Sequence, residues 1–397
     1  MKIKNKPISI YIHIPFCVRK CLYCDFLSAP AKEDEKERYL RCLEEEIKRE
    51  AKNYVNYEVQ TVFIGGGTPS LLLPEEAQRL LNAVRQHYRM AGQAEITIEV
   101  NPGTANFTKL KAYYEMGINR LSIGLQSAIN EELKCLGRIH TWEDFLKTYK
   151  DAVKSGFNNI NVDLMSAIPM QTVESFRETL SKVLLLQPQP AHISAYSLIV
   201  EEGTPFYENT PELPDEETDR LMYKITDDIL KRNGYHRYEI SNYAQKSMEC
   251  RHNKVYWTRG DYVGFGIGAA SLVNNVRFHN LRDIKSYIHQ MEADQENGVL
   301  SFPVKEDIEQ LSWEEQIEEY MFLGLRLTEG ISLKAFFNTF GKTLDEVYPG
   351  LIERLVSQGL LLITYGKNKE AERIFLSEYG LDVSNRVMAE FLLTVEN

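Results

Sequence analysis

No stretch of this 397-residue chain is apolar for long enough to span a bilayer. Its basic start, Met1-Lys2-Ile3-Lys4-Asn5-Lys6, leads into no secretory core and no small-residue cleavage site. Positive charge is in short supply, with 46 Lys plus Arg against 57 Asp plus Glu and a net charge of −11. That balance speaks against broad nucleic-acid binding, although a local basic groove stays compatible with it. Cysteine is sparse, six in all, and Cys42, Cys135 and Cys250 are scattered, so no disulfide framework is expected. Cys42 and Cys135 sit in helix-like surroundings and read as buried thiols. Low-complexity tracts and internal repeats are missing too. The expectation is a cytoplasmic, reduced protein with no transmembrane segment, peripheral membrane contact being compatible. Apolar content of 43% and charged content of 26% are those of a globular protein, and the length exceeds one ordinary domain.

The other three cysteines stand together in Ile14-Pro15-Phe16-Cys17-Val18-Arg19-Lys20-Cys21-Leu22-Tyr23-Cys24-Asp25-Phe26. The spacing C-x3-C-x2-C supplies three thiolates, whereas iron–sulfur cubanes are usually held by four. Three leave one iron with an open position for an outside ligand. The segment resembles the loop of the radical S-adenosylmethionine (SAM) superfamily. Two alternatives stay open on spacing alone: a zinc knuckle completed by a residue such as His13, or a redox pair at Cys21 and Cys24.

Strand-like and helix-like runs alternate from residue 8 to about residue 200. The pattern predicts strands over Ile8–Ile14, Val59–Ile64, Glu95–Val100, Arg120–Leu125, Asn159–Met165 and Ala191–Leu198. Amphipathic stretches, for example Lys32–Tyr54, Pro74–Arg89, Thr141–Ser155 and Thr172–Leu186, separate them, giving six β/α units in succession. Polar and glycine-rich residues fall just past nearly every strand, as in a TIM-type barrel, whereas a doubly wound sheet would gather them at one switch point. The fold class expected is therefore α/β, an incomplete six-stranded parallel barrel over 1–205. A connecting, aromatic-rich segment would follow over 206–303, with a helix near Asp219–Arg232. Residues 304–397 read as a mostly helical, winged-helix-like domain: helices over Trp313–Leu327, Leu333–Phe340 and Leu344–Gln358, a turn and strand over Gly359–Ile363, and a last helix over Gly380–Leu393.

Directly after the second strand comes Gly65-Gly66-Gly67-Thr68-Pro69, where main chain can approach a ligand with no Cβ in the way. The run lacks the G-K-[ST] ending of a phosphate loop and, taken alone, equally suits a tight strand-to-helix turn. Together with Tyr11-Ile12-His13-Ile14-Pro15-Phe16-Cys17, Glu99-Val100-Asn101-Pro102, Leu121–Ser127 and Asp163-Leu164-Met165, it resembles the oxygen-independent coproporphyrinogen III dehydrogenase family and its relatives over nearly the whole chain. The resemblance implies a [4Fe–4S] cluster on Cys17, Cys21 and Cys24. It further implies a SAM pocket lined by Tyr11, Tyr23, Gly66, Gly67, Thr68, Glu99, Gln126, Arg138 and Asp163, with Glu99 and Gln126 near the ribose. In that family SAM chelates the open iron and is cleaved by an electron from the cluster, so the nucleoside must be held firmly.

The chain departs from the dehydrogenases in two places. Phe26 stands where they carry a further cysteine, and only about ten residues precede the first strand, where they have a substrate segment. A third feature, Cys250-Arg251-His252-Asn253-Lys254-Val255-Tyr256-Trp257, contains H-N-x-x-Y-W and resembles the corresponding segment of HemW-type heme chaperones, close relatives of the dehydrogenases. That resemblance implies heme as cargo, His252 as an axial iron ligand, Tyr256 and Trp257 as flat faces for the porphyrin, and a heme-accepting protein as partner. Cys250 is a weaker second ligand. Coproporphyrinogen decarboxylation and another radical-SAM activity, such as methyl transfer, remain the rival readings.

Overall fold

The computed structural model describes residues 5–297, 304–367 and 370–393. Six parallel strands lie side by side in chain order: β1 (Lys6–Ile14), β2 (Tyr57–Gly66), β3 (Met90–Val100), β4 (Arg120–Gln126), β5 (Ile160–Ser166) and β6 (His192–Ser197). Between them run α1 (Glu33–Glu50), α2 (Pro74–His87), α3 (Phe107–Glu115), α4 (Asn130–Cys135), α5 (Trp142–Ser155) and α6 (Val173–Leu184). Strand β6 pairs onward to a later strand and not back to β1, so the barrel is incomplete. All six expected strands are present to within a few residues. Helices α3 and α4, not among the stretches picked out from the sequence, complete the alternation.

Alternation along β1 shows why these residues form a two-faced strand. Ile8, Ile10, Ile12 and Ile14 are at most 1% exposed and join a core with Tyr39, Leu43, Leu80 and Val84 from the helices. Each such side chain contributes roughly 1.5–3 kcal/mol by leaving water. The intervening Ser9 and Tyr11 meet polar and aromatic groups: Thr61 donates to Ser9 at 2.7 Å and Phe63 stacks on Tyr11. Helix starts follow from side-chain oxygens that take up free amides. Thr141 and Asp144 form a capping box at α5, and Thr172 with Ser175 does the same at α6.

The next segment contains α7 (Pro205–Glu208), α8 (Glu216–Arg232), β7 (His236–Arg237), β8 (Asn242–Ala244), α9 (Arg251–Trp257), β9 (Tyr262–Phe265), β10 (Ala270–Val273), β11 (Val276–Asn280) and α10 (Ile284–Asn297), and β12 (Lys305–Gln310) comes after it. These strands do not stand apart from the barrel. β8 and β7 extend the edge at β6, while β9 pairs parallel with β1 and leads to β10, β11 and β12. A buried carboxylate joins the second edge to the helical layer. Glu46 of α1 accepts from the Gly266 amide at 2.9 Å, Asn280 at 2.6 Å and the Tyr287 hydroxyl at 2.6 Å. The C-terminal part gathers α11 (Trp313–Gly324), β13 (Ile331–Ser332), α12 (Leu333–Phe340), α13 (Leu344–Val347), α14 (Leu351–Ser357), β14 (Leu361–Tyr365) and β15 (Ala371–Leu376) around a second core of Ile317, Met321, Phe336, Leu355, Ile374 and Phe391. Its three strands form a separate antiparallel sheet in the order β13-β15-β14. The single helix expected over Leu344–Gln358 is two, because Pro349-Gly350 interrupts it and Gly350 takes φ 71°.

Helix α9 plugs the polar interior of the partial barrel. Glu95, inside β3 and 5% exposed, accepts from the amides of Arg251 at 3.1 Å and His252 at 3.0 Å, with the Cys250 thiol 3.7 Å away. One buried carboxylate thus satisfies the otherwise free amides at the start of this helix. We expect Glu95→Ala to destabilise the protein by about 3 kcal/mol, because it leaves buried donors unpaired; urea unfolding measures this, and Glu95→Gln, which keeps one acceptor oxygen, should lose less.

Candidate functional site

The C-terminal ends of the six strands surround a cavity of about 420 Å³. Its wall includes Cys17, Cys21, Tyr23 and Cys24 from the loop after β1, Gly66, Gly67 and Thr68 at the end of β2, and Glu99 and Asn101 at the end of β3. Gln126, Arg138 and Asp163 add to it from later in the chain. Eleven residues of the expected cluster and SAM set therefore share one space. Tyr11 does not line it. The Tyr11 ring lies close to Gly65, and its hydroxyl bonds His13 Nδ1 at 3.0 Å.

Main chain makes the close approach. The Gly67 amide donates to the Ile14 carbonyl at 2.9 Å, which binds the second strand end to the first just where the cysteine loop departs. A Cβ on Gly67 would stand 2.9 Å from Cys17 Sγ and 2.8 Å from the Phe16 carbonyl, so any side chain there collides with the loop. Gly66 has φ 118° and its amide donates to Glu99 at 3.0 Å. Gln126 holds φ 69°, an unusual conformation for a residue with a Cβ and one that tends to cluster at functional sites. Tyr196 donates to its side-chain oxygen at 3.1 Å.

The cavity floor is acidic and buried. Burial and the neighbouring Asp163 push the Glu99 carboxyl up to about 8, opposed in part by the Gly66 amide. Burial also raises Asp163, against hydrogen bonds from Asn161 at 2.7 Å and Ser122 at 3.1 Å. A floor of this kind favours a cationic ligand, and SAM carries a sulfonium and an ammonium group. The three thiols are free and half-buried. Among the described residues no three His, Cys, Asp or Glu side chains gather closely enough to hold one ion. A cubane asks instead for one sulfur at each of three corners, which a loop with one face on a cavity can offer.

The H-N-x-x-Y-W residues do not reach this cavity. The His252 ring is 1% exposed and lies beside Phe63, centroids 5.1 Å apart. Its Nδ1 is 2.7 Å from Thr61 Oγ1 and its Nε2 is 2.8 Å from the Tyr256 hydroxyl. Because Thr61 gives its own proton to Ser9, the network assigns the proton to Nδ1, and Nε2 accepts from Tyr256. Burial and the Arg120 charge lower the imidazole to about 3, so it is neutral. Thr61 lies four residues before Gly65 on β2, roughly 13 Å along the strand. Trp257 is half-buried, with the Arg326 guanidinium 4.3 Å above its ring. Cys250 is fully buried. As placed, the residues expected to bind heme form a buried plug in which both ring nitrogens of His252 are hydrogen-bonded.

Asn101 and Tyr196, read from the sequence as polar residues at strand ends without a place in the pocket, also line the cavity, and so do Ser122 and Gly124 of β4, which the sequence reading did not single out. Two outcomes follow from the site geometry. Gly67→Val should lose both SAM binding, read by equilibrium dialysis, and the seating of the cysteine loop, read as iron retained per chain. Glu99 binds a proton in the folded chain between about pH 4.5 and about 8 that the unfolded chain has released. Its contribution therefore makes the ligand-free protein less stable as pH rises through that window. Thermal melts of Glu99→Gln should show a flatter profile there, and SAM should stabilise wild type more than the variant.

Comparison with known proteins gives a consistent placement. Residues 11–183 match the radical SAM superfamily and residues 311–367 match the HemN C-terminal domain. The heme chaperone HemW of Bacillus subtilis is 36% identical over 389 residues, covering 97% of this chain and 99% of that protein. HemW of Escherichia coli is 35% identical, covering 94% and 97%. The solved structure of coproporphyrinogen III oxidase (HemN) from Escherichia coli, titled a radical SAM enzyme, superposes with a TM-score of 0.84 at 22% identity, covering 99% of this chain and 91% of that one, and shares its fold. The chain belongs to the HemW heme-chaperone family of radical-SAM proteins.

Proposed function

We propose that this chain holds a [4Fe–4S] cluster on Cys17, Cys21 and Cys24, binds SAM in the cavity beside it, and acts as a heme chaperone that passes heme to an acceptor protein. Near-full-length similarity to heme chaperones carries this reading. When bound, the cluster would supply an electron for cleavage of SAM. The chain's own part is to position: Gly66 and Gly67 open the main chain, Glu99 and Asp163 face the cationic ligand, and Gln126 and Arg138 close the wall. A cation in the cavity draws the Glu99 proton off, so binding should release protons near neutral pH.

For heme, we propose ligation by His252 after the plug opens. The lone pair that would meet iron is the Nε2 pair that now accepts from Tyr256. Opening would also free the ring faces of Tyr256 and Trp257. A second reading rests on the exposed apolar rim of the cavity and its small neighbouring pocket. Val18 (58% exposed), Phe26 (55%), Ile139 (56%) and Ile199 (68%) could support a flat porphyrin there.

Hemin titration separates the readings. His252→Ala should lose the wild-type Soret band while iron–sulfur content stays normal, and Tyr256→Phe, which removes the hydroxyl holding Nε2, should load heme faster than wild type. Unchanged heme binding in His252→Ala, together with loss in Phe26→Asp, would move heme to the rim. Decarboxylation of coproporphyrinogen by wild type would favour the enzyme reading over both. For the cluster, anaerobic reconstitution should give about four irons per chain and Cys21→Ala should abolish the cluster absorbance.

A further inference from the structure

We infer that Asn101 is a positioning residue that sets hydrogen bonds to two cluster cysteines at once and thereby raises the reduction potential of the cluster. The Cys Sγ atoms here stand for the thiolates that would hold iron. Asn101 Nδ2 donates to Thr68 Oγ1 at 2.8 Å, and Thr68 Oγ1 donates to Cys17 Sγ at 3.5 Å. On its other side, Asn101 Oδ1 accepts from Arg138 Nη2 at 2.9 Å, while Arg138 Nη1 points at Cys21 Sγ, 3.8 Å away. One amide therefore orients a donor toward each of two sulfurs. The assignment of its oxygen and nitrogen is forced, because the guanidinium can only donate and the Thr68 proton is spent on sulfur.

The surroundings fit such a clamp. Arg138 Nη2 also donates to the Gly124 carbonyl at 2.7 Å, which fixes the plane of the guanidinium. A Cβ on Gly124 would come within 3.2 Å of Asn101 Oδ1 and of Arg138 Nη2, so the glycine leaves room for the pair. Asn101 is itself held at its main chain, its amide donating to Ser70 Oγ at 3.1 Å. Hydrogen bonds to cysteine sulfur stabilise the more negative, reduced cluster and so raise its potential. Without Asn101 the Thr68 hydroxyl is free to turn away from sulfur and Arg138 Nη2 keeps only the Gly124 carbonyl, so the aim of the guanidinium at Cys21 loosens and the potential falls.

This inference rests on the three-cysteine cluster, and the test keeps the two apart. Wild type, Asn101→Ala, Thr68→Val and Thr68→Ser are reconstituted anaerobically with iron and sulfide, assayed for iron, and titrated with dithionite under electron paramagnetic resonance, without SAM. The expected result is a cluster in wild type and a reduction equilibrium about tenfold less favourable in Asn101→Ala and Thr68→Val, about 59 mV for one electron. Thr68→Ser, which keeps the hydroxyl, should return to the wild-type value. Equal potentials in all four proteins would overturn the inference while leaving the cluster intact. Should Asn101→Ala hold no iron, the Thr68→Val and Thr68→Ser pair decides the same question. Absence of a cluster from wild type would overturn the reading beneath it.

Discussion

The contact on which the site depends is main chain to main chain: the Gly67 amide on the Ile14 carbonyl at 2.9 Å. It draws the end of the second strand against the first at the point where the chain turns into the cysteine loop. Because the approach leaves no space for a Cβ, the loop, the glycine run and the Glu99 carboxyl beneath Gly66 form one unit. A flexible loop carrying three cysteines would lose much of its ligand advantage to the entropy of ordering them. Here the later strand ends add the Thr68, Asn101 and Arg138 contacts that fix two of the three sulfurs.

The same barrel carries a second polar layer lower down, and the two layers face different tasks. The upper one is open to the cavity and acidic. The lower one is closed by α9, with Glu95 on its first amides and His252 between Thr61 and Tyr256. Arg120, 2% exposed, lies in the field of both Glu95 and Asp163, so its charge belongs to both layers. The C-terminal part holds the far end of the plug through Arg326 over Trp257 and through the Arg259–Glu319 ion pair at 2.9 Å. Movement of α9 would therefore be felt on both sides, by the cavity floor and by the C-terminal helices.

Much of this was legible in the sequence, for definable reasons. Strands such as Ile8–Ile14 announce themselves because their buried isoleucines recur at every second residue beside helix-period runs. Cavity residues were legible from their place at strand ends. What was hidden depends on partners distant in sequence. His252 looks like an available ligand until Thr61, 191 residues earlier, is placed against it. The strands between His236 and Asn280 are two to five residues long, too short for periodicity to register, so the segment read only as aromatic-rich. Asn101 stood in a recognised motif, yet its function as a bridge needs Thr68 and Arg138 on either side. The helix drawn through Pro349 was an avoidable error, since proline inside a helical pattern marks a break.

At the centre of the proposed function, three thiolates present a cluster with one open iron to a ligand in the cavity. The most direct measurement is the electron paramagnetic resonance spectrum of the reduced, reconstituted protein with and without SAM. The expected result is an iron–sulfur signal whose g values shift when SAM is added, because the ligand binds iron itself. A signal that SAM leaves unchanged at saturating concentration, or a reconstituted protein that holds only zinc, would contradict it.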